Sequence, residues 1–195
     1  MSSKVLQKSF FQKDTRELAQ DLLGVHLVHE DESGKTAGKI VETEAYLEDD
    51  PAAHTYNGKT ENNRAMFGPP GHSYVYFIYG MYHCFNCTSN EEGVGEAVLI
   101  RALEPVSGFE LMKQRREVED EKNLCSGPGK LTMAMDITKD HYGLDLTSEE
   151  SKLRLERPET EVVFDIKQTE RVGISKATEL PYRFYIQENP HVSKK

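Results

Sequence analysis

The sequence predicts a single α+β domain, a curved and largely antiparallel sheet with flanking helices and a protruding β-hairpin. Three observations predict it. A capped amphipathic segment at 14–24 runs straight into two strand-like stretches joined by a short turn. A second strand-like pair at 74–88 is joined by a glycine turn. Beyond it, short apolar runs alternate with turn and helix-entry signals as far as residue 186.

The totals bound the class. A chain of 195 residues, 37% hydrophobic and 29% charged, is most simply one domain with a core of its own. No apolar run approaches the ~20 residues of a membrane helix. The start, Met1-Ser2-Ser3-Lys4, lacks the apolar segment of a signal peptide. Three cysteines in no framework spacing suit a reducing compartment, so a cytoplasmic protein is expected. The net charge of −9 argues against nonspecific nucleic-acid binding but leaves room for a local basic face, because phosphate contacts depend on placement. There is no internal repeat or low-complexity segment, and the ends, 1–8 and 189–195, are expected to fray.

In order, Asp14 is the expected N-cap of the first helix, with Glu17 three residues on as in a capping box. Leu18, Ala19, Leu22 and Leu23 form its apolar stripe, and Gly24 stops it. Val25 to His29 read as a strand, and the turn from Glu30 to Lys35 leads into the stretch Ile40-Val41-Glu42-Thr43-Glu44-Ala45-Tyr46. With period-2 alternation, Val41, Thr43, Ala45 and Leu47 share a core face, and Ile40, Glu42, Glu44 and Tyr46 the other. Two carboxylates two residues apart on a strand lie roughly 7 Å apart, which is acid/base geometry under a pocket and a solvated face without one. A long polar loop follows, through His54 and Arg64 to Pro69-Pro70-Gly71.

Tyr74 to Tyr79 is a strand by composition. Gly80-Met81 fits a two-residue type II′ turn, with Tyr82 to Thr88 returning. That register pairs Tyr79 with Tyr82 and Val75 with Asn86, and leaves an apolar tip that either packs on the chain itself or wedges into a partner. Cys84 and Cys87, three apart on a strand, point to opposite faces and are expected to be structural, not metal or redox groups. Ala97 to Leu103 is a core strand broken by Arg101 and closed by Glu104-Pro105. A buried arginine needs an anion, a carboxylate or a phosphate. Ser107 and Glu110 suggest a capping box opening a helix from 108 to 119, and Pro128 suits the first turn of another running toward Met135. Leu124 to Leu131 is not a Walker loop, because the glycine spacing fails, but Lys130 and free N–H groups there could hold a phosphate. Leu153 to Glu156, Val162 to Lys167 and Arg183 to Ile186 read as short strands, with Arg171-Val172-Gly173-Ile174 between the last two.

Val-Glu-Thr-Glu-Ala-Tyr at 41–46, Ala-Ala-His at 52–54, Tyr-Val-Tyr-Phe-Ile-Tyr-Gly-Met-Tyr at 74–82, Arg-Ala-Leu-Glu-Pro at 101–105 and Leu-Cys-Ser-Gly-Pro-Gly-Lys-Leu at 124–131 occur in that order. Together they resemble the alkyladenine (3-methyladenine) DNA glycosylase family over nearly the whole chain. The resemblance implies a monofunctional enzyme without cofactor or metal, acting as a monomer on double-stranded DNA that contains damaged purines: 3-methyladenine, 7-methylguanine or hypoxanthine. The damaged nucleotide would be flipped out and its base cut off hydrolytically. Glu44 matches the general base, and Arg101 a residue near the flipped nucleotide's phosphate and the water. Tyr46, Ala53, His54 and Tyr76 match the base pocket, Asn86 and Leu99 its walls. Tyr79 matches the intercalating wedge, with Gly80, Met81, Tyr82, Arg64 and Lys130 as DNA contacts. One tension remains: the two-residue hairpin puts Tyr76 and Asn86 on opposite faces, so a bulge or a backbone contact is required. Two other readings stand beside this one, a catalytically silent DNA-damage binder and an O-glycoside hydrolase using Glu42 and Glu44.

Overall fold

The computed structural model describes residues 4–160 and 162–194. Its eight strands form one curled antiparallel sheet. They are β1 (His26–Asp31), β2 (Gly34–Tyr46), β3 (Ser73–Ile78), β4 (Tyr82–Thr88), β5 (Ala97–Ser107), β6 (Leu153–Glu156), β7 (Ile166–Thr169) and β8 (Arg183–Ile186). The main path runs β3-β4-β5-β2-β1-β6, and β8 joins β2 to β7. Among the described residues five α-helices accompany it: α1 (Lys8–Phe11), α2 (Thr15–Asp21), α3 (Phe109–Arg116), α4 (Glu121–Leu124) and α5 (Pro128–Ala134).

The long strand β2 organises the sheet. β5 runs along one of its edges, while the other edge pairs first with β1, at 34–39, and then with β8, at 42–44. Register shifts flank Glu42, leaving Val41 on β2 and Arg101 on β5 as the extra residues. Such bulges add twist and re-aim side chains, and this pair sits where the sheet carries its charges. On the expected core face Val41, Thr43 and Ala45 are buried, and the Thr43 hydroxyl donates to Ala19 O of α2 at 2.7 Å. Ile40, expected on the other face, is buried in the same core because the bulge at Val41 breaks the alternation. Leu18, Ala19, Leu22 and Leu23 join the same core, so the stripe read from the sequence is the buried one. Each fully buried leucine contributes about 1.5–3 kcal/mol. The Asp14 carboxylate accepts from the N–H groups of Arg16 and Glu17, capping α2 as expected.

Several boundaries differ from expectation. The hairpin turns one residue early. Tyr79 and Gly80 both adopt positive φ, 54° and 69°, and Ile78 pairs with Tyr82 around a three-residue loop. Glycine therefore takes the second central position, as in a type I′ pattern, and not the first. The shift places Tyr74 opposite Asn86 and Tyr76 opposite Cys84, so Tyr76 and Asn86 share a face and the tension in the two-residue register disappears. β5 continues through Pro105 to Ser107. Proline is tolerated there because β4 has already left that edge and Val106 bulges between the Ser107 and Pro105 pairings. The α3 N-cap is Gly108 in the left-handed region with no side-chain cap, so Ser107 and Glu110 form no capping box, and the helix ends at Arg116. A β-carbon on Gly108 would lie 2.5 Å from Lys35 O, a close approach that only glycine allows. β7 begins at Ile166, and Val162 and Val163 stand exposed before it.

The ends are tied in over their described parts. Leu6 is buried and donates its N–H to Leu155 O at 2.8 Å, and Val192 is buried at the other end. Fraying of 4–8 and 189–194 is thus not what the packing supports, while residues 1–3 and 195 lie outside the described residues. No helix is long and apolar enough to cross a membrane among the described residues.

Candidate active site

One row of residues crosses five strands. Tyr74 on β3 pairs with Asn86 on β4, Asn86 with Leu99 on β5, Leu99 with Glu44 on β2, and Glu44 with Arg183 on β8. Directly paired residues point to the same face, so the row is the floor of a site. Aromatic and amide groups lie at one end and charges at the other.

At the charged end Glu42 and Glu44 are both fully buried. The open-face alternative for them is therefore ruled out. Arg101 lies 3.3 Å from each, through Nε to Glu42 Oε1 and Nη1 to Glu44 Oε1. Glu44 Oε1 also accepts the Val172 N–H at 2.7 Å, and Oε2 accepts the Tyr46 hydroxyl at 2.8 Å. The Val172 carbonyl in turn accepts from Arg101 Nη1 at 3.2 Å. Burial pushes the Glu44 carboxyl above its ordinary range, against the pull of Arg101, the Val172 N–H and the Tyr46 hydroxyl. For Arg101, burial works against the charge, but Glu44 and Glu42 outweigh it and raise the guanidinium's proton affinity. The Tyr46 phenol is pushed up by burial and by Glu44 beside it, and stays a donor.

At the aromatic end a cavity of about 450 Å³ opens, lined by Tyr46, Ala53, His54, Tyr74, Tyr76 and Asn86 among others. The His54 ring lies 4.5 Å from Tyr76 and its Nδ1 is 2.7 Å from the Tyr74 hydroxyl. Burial lowers the His54 pKa, so this wall is neutral at pH 7. Asn86 donates from Nδ2 to Tyr74 O at 3.1 Å, which fixes its amide plane. The loop carrying His54 is held by buried Asn63, whose amide donates to His54 O at 2.9 Å and Gly58 O at 3.0 Å. Residues Gly173 to Lys176 also line it. Beside the cavity the hairpin tip projects, with Tyr79 79% and Met81 66% exposed.

The methylpurine-DNA glycosylase (MPG) family model matches residues 9–190. The chain belongs to that family. It is 51% identical over 191 residues, 97% of this chain and 99% of the relative, to a Methanoculleus marisnigri protein named "Putative 3-methyladenine DNA glycosylase". Relatives with the same name from Carboxydothermus hydrogenoformans and Alkaliphilus oremlandii are 48% and 46% identical, covering 98% and 97% of this chain and 100% and 99% of their own lengths. The chain is thus a DNA glycosylase by family.

Within this glycosylase, five of the residues expected at the base pocket, Tyr46, Ala53, His54, Tyr76 and Asn86, line one cavity. Leu99 does not. It is buried in the floor between Asn86 and Glu44. Glu44 and Arg101 also lie beneath the lining, and Arg101 has two carboxylates as its anions. Tyr79, Gly80 and Met81 are at the exposed tip, and Tyr82 packs beside Gly129 in the first turn of α5, next to Lys130. Lys130 donates to Ser126 Oγ at 3.2 Å. Arg64 is exposed on a short turn, Arg64–Phe67, and is ion-paired with Glu61.

Sequence reasoning missed four contributors. Val172 supplies its backbone to Glu44 and Arg101. Arg171 stacks 4.7 Å from the Tyr46 ring centroid, donates to Ala45 O at 2.9 Å and pairs with buried Asp50. Arg183 donates from Nε to Glu42 Oε1 at 2.7 Å. Tyr74 sits in a segment whose composition predicts only a strand, yet it lines the cavity. The available signal was two arginines, Arg171 and Arg183, in the apolar-flanked end of the chain. A buried arginine demands an anion, and Glu42 and Asp50 are the anions it finds.

Proposed function

We propose that this glycosylase removes methylated purines, 3-methyladenine among them, from duplex DNA by hydrolysing the N-glycosidic bond of a flipped-out nucleotide. The observation that carries the proposal is Glu44, a buried carboxylate held by Tyr46, Arg101 and the Val172 N–H just beneath the lining of an aromatic cavity. The cavity's volume, about 450 Å³, falls in the range of small-molecule pockets and suits one purine base. Neutral His54 with Tyr76 gives π-faces that favour an electron-poor, positively charged purine, whereas the Tyr46 ring already carries the Arg171 guanidinium and offers its hydroxyl to Glu44.

In the step itself, water oxygen bonds to the anomeric carbon while the C–N bond breaks, and its electron pair leaves on the purine nitrogen. Glu44 takes the water's proton. A cationic methylated purine departs as a neutral base, so no acid is required on the leaving group. The Glu44 charge also favours the oxocarbenium-like transition state. Arg101, ion-paired with Glu44 and donating to Val172 O, pulls the carboxylate toward its ionised form against the burial that raises its pKa. Tyr79, exposed at the hairpin tip, fills the gap the base leaves in the stack on this reading.

Incubation with an alkylated duplex tests the reading. Release of free modified purine supports it, while binding without release would make the chain a damage binder. Among the described residues no Lys is on the floor row and none contacts Glu44. Exposed Lys176 lines the cavity, so the water mechanism requires that Lys176 form no Schiff base with the sugar. Borohydride should trap no protein–DNA adduct, and an adduct at Lys130 or Lys176 would replace the water mechanism.

A further inference from the structure

Glu42 Oε1 is shared by two arginines that reach it from opposite edges of β2. Arg101 comes from β5 at 3.3 Å and Arg183 from β8 at 2.7 Å. Its other oxygen accepts the Ser193 N–H at 2.7 Å, and Arg183 also donates from Nη2 to Lys194 O. Arg183 is 4% exposed and its guanidinium stacks 5.0 Å from the Tyr185 ring. Arg183 is paired with Glu44 across the strands, yet its hydrogen bond to β2 goes to Glu42. Charges therefore alternate through the floor: Arg183, Glu42, Arg101, Glu44.

We infer that Arg183, anchored by the C-terminal segment 192–194, is a positioning residue that acts through Glu42 to leave Arg101 free to hold Glu44 ionised. The inference rests on the reading of Glu44 as the base. Its physics is competition. Arg101 divides its attraction between two buried carboxylates, and every bit of Glu42 charge that Arg183 satisfies is charge Arg101 need not satisfy. Without Arg183, two buried anions face one cation, and a proton is the cheapest remaining counter-charge. The groups facing Glu44 are Glu42 and Tyr46 on β2, Arg101 on β5, Cys84 on β4, Arg183 on β8 and the Val172 N–H with Arg171 beside it. Of these, Glu42 is the anion and Arg183 is what restrains it. The C-terminal segment thereby enters the chemistry of the site although it lies outside the cavity lining.

The test is the pH profile of single-turnover excision of 7-methylguanine from a duplex. That base is already cationic, so its departure needs no protonation and the acid limb of the profile reports the catalytic base. Arg183→Gln should move the acid limb up by about one unit, and Glu42→Gln should move it down by a similar amount. Arg183→Lys, which keeps the charge, should lie near wild type. Opposite shifts from two residues in contact are not what general loosening of the sheet produces. If Arg183→Gln does not fold, Glu42→Gln and Arg183→Lys still read the same limb. Limbs that coincide in all variants, with Glu44→Gln inactive, would overturn the inference and leave the base in place. Full activity of Glu44→Gln would overturn the reading beneath it.

Discussion

The two ends of the floor row are built in opposite ways. At the charged end, Glu42, Glu44, Arg101 and Arg183 are buried and bonded to one another from three strands. At the other end, the hairpin beyond Tyr76 carries Phe77, Tyr79 and Met81 into solvent. The first arrangement is preorganised: its dipoles are fixed before substrate arrives and need no reorganisation during reaction. The second holds apolar surface in water, a cost that is repaid only when something covers it. On the proposed reading, bond cleavage belongs to the buried end and capture of the nucleotide to the exposed one. Sequence distance separates them too. The hairpin is local, whereas the charged end joins residues 59 and 141 positions apart.

The largest break in this contrast is Glu44→Gln. It preserves shape, removes the proposed base and should lower single-turnover excision by roughly 10²-fold or more. DNA binding should persist, measured by titration of a labelled duplex. The same residue sets a pH dependence. Burial raises its pKa, so excision should fall on acidification at a pH above that at which an ordinary glutamate titrates. The sign for stability is the reverse of a surface salt bridge. The folded state binds this proton more tightly than the unfolded chain, so Glu44's favourable contribution is present below its unfolded pKa and is lost as pH rises through its folded pKa.

A smaller effect sharpens the aromatic end. Asn86, pinned to Tyr74 O, lines the cavity, and on the proposed reading it is the wall that meets a purine's 2-amino group and rejects guanine. Asn86→Ala should raise excision of 7-methylguanine relative to hypoxanthine by the equivalent of about 1–3 kcal/mol. An unchanged ratio of rates in matched duplexes would remove Asn86 from the selectivity of the pocket. Smallest is a control outside both ends. Asp14→Ala deletes the α2 cap and should cost about 1 kcal/mol in chemical denaturation while leaving excision untouched.

Much of this was legible in the chain. Period-2 alternation put Glu44 beside Tyr46, and Asp14 with the leucine stripe located α2, because both signals are local. The hairpin was legible but its register was not. Which residue leads the turn depended on Tyr79 accepting a positive φ, which composition does not disclose. Burial of Glu42 was beyond local pattern, since its partners are Arg101, Arg183 and the Ser193 N–H. Likewise Val172 meets Glu44 across 128 positions, so the stretch that leads into the cavity lining at Gly173 reads in sequence only as a connecting segment.

The division of labour has one direct test. Single-turnover excision of 7-methylguanine is measured from duplex and from single-stranded DNA, for wild type, Glu44→Gln and Tyr79→Ser. Loss of the wedge lets the nucleotide return to the stack, a penalty of a few kcal/mol that single strands do not impose. Tyr79→Ser should therefore be impaired on duplex far more than on single strands, while Glu44→Gln should lose the same factor on both. Equal losses on the two substrates for Tyr79→Ser, or a duplex-only loss for Glu44→Gln, would contradict the assignment.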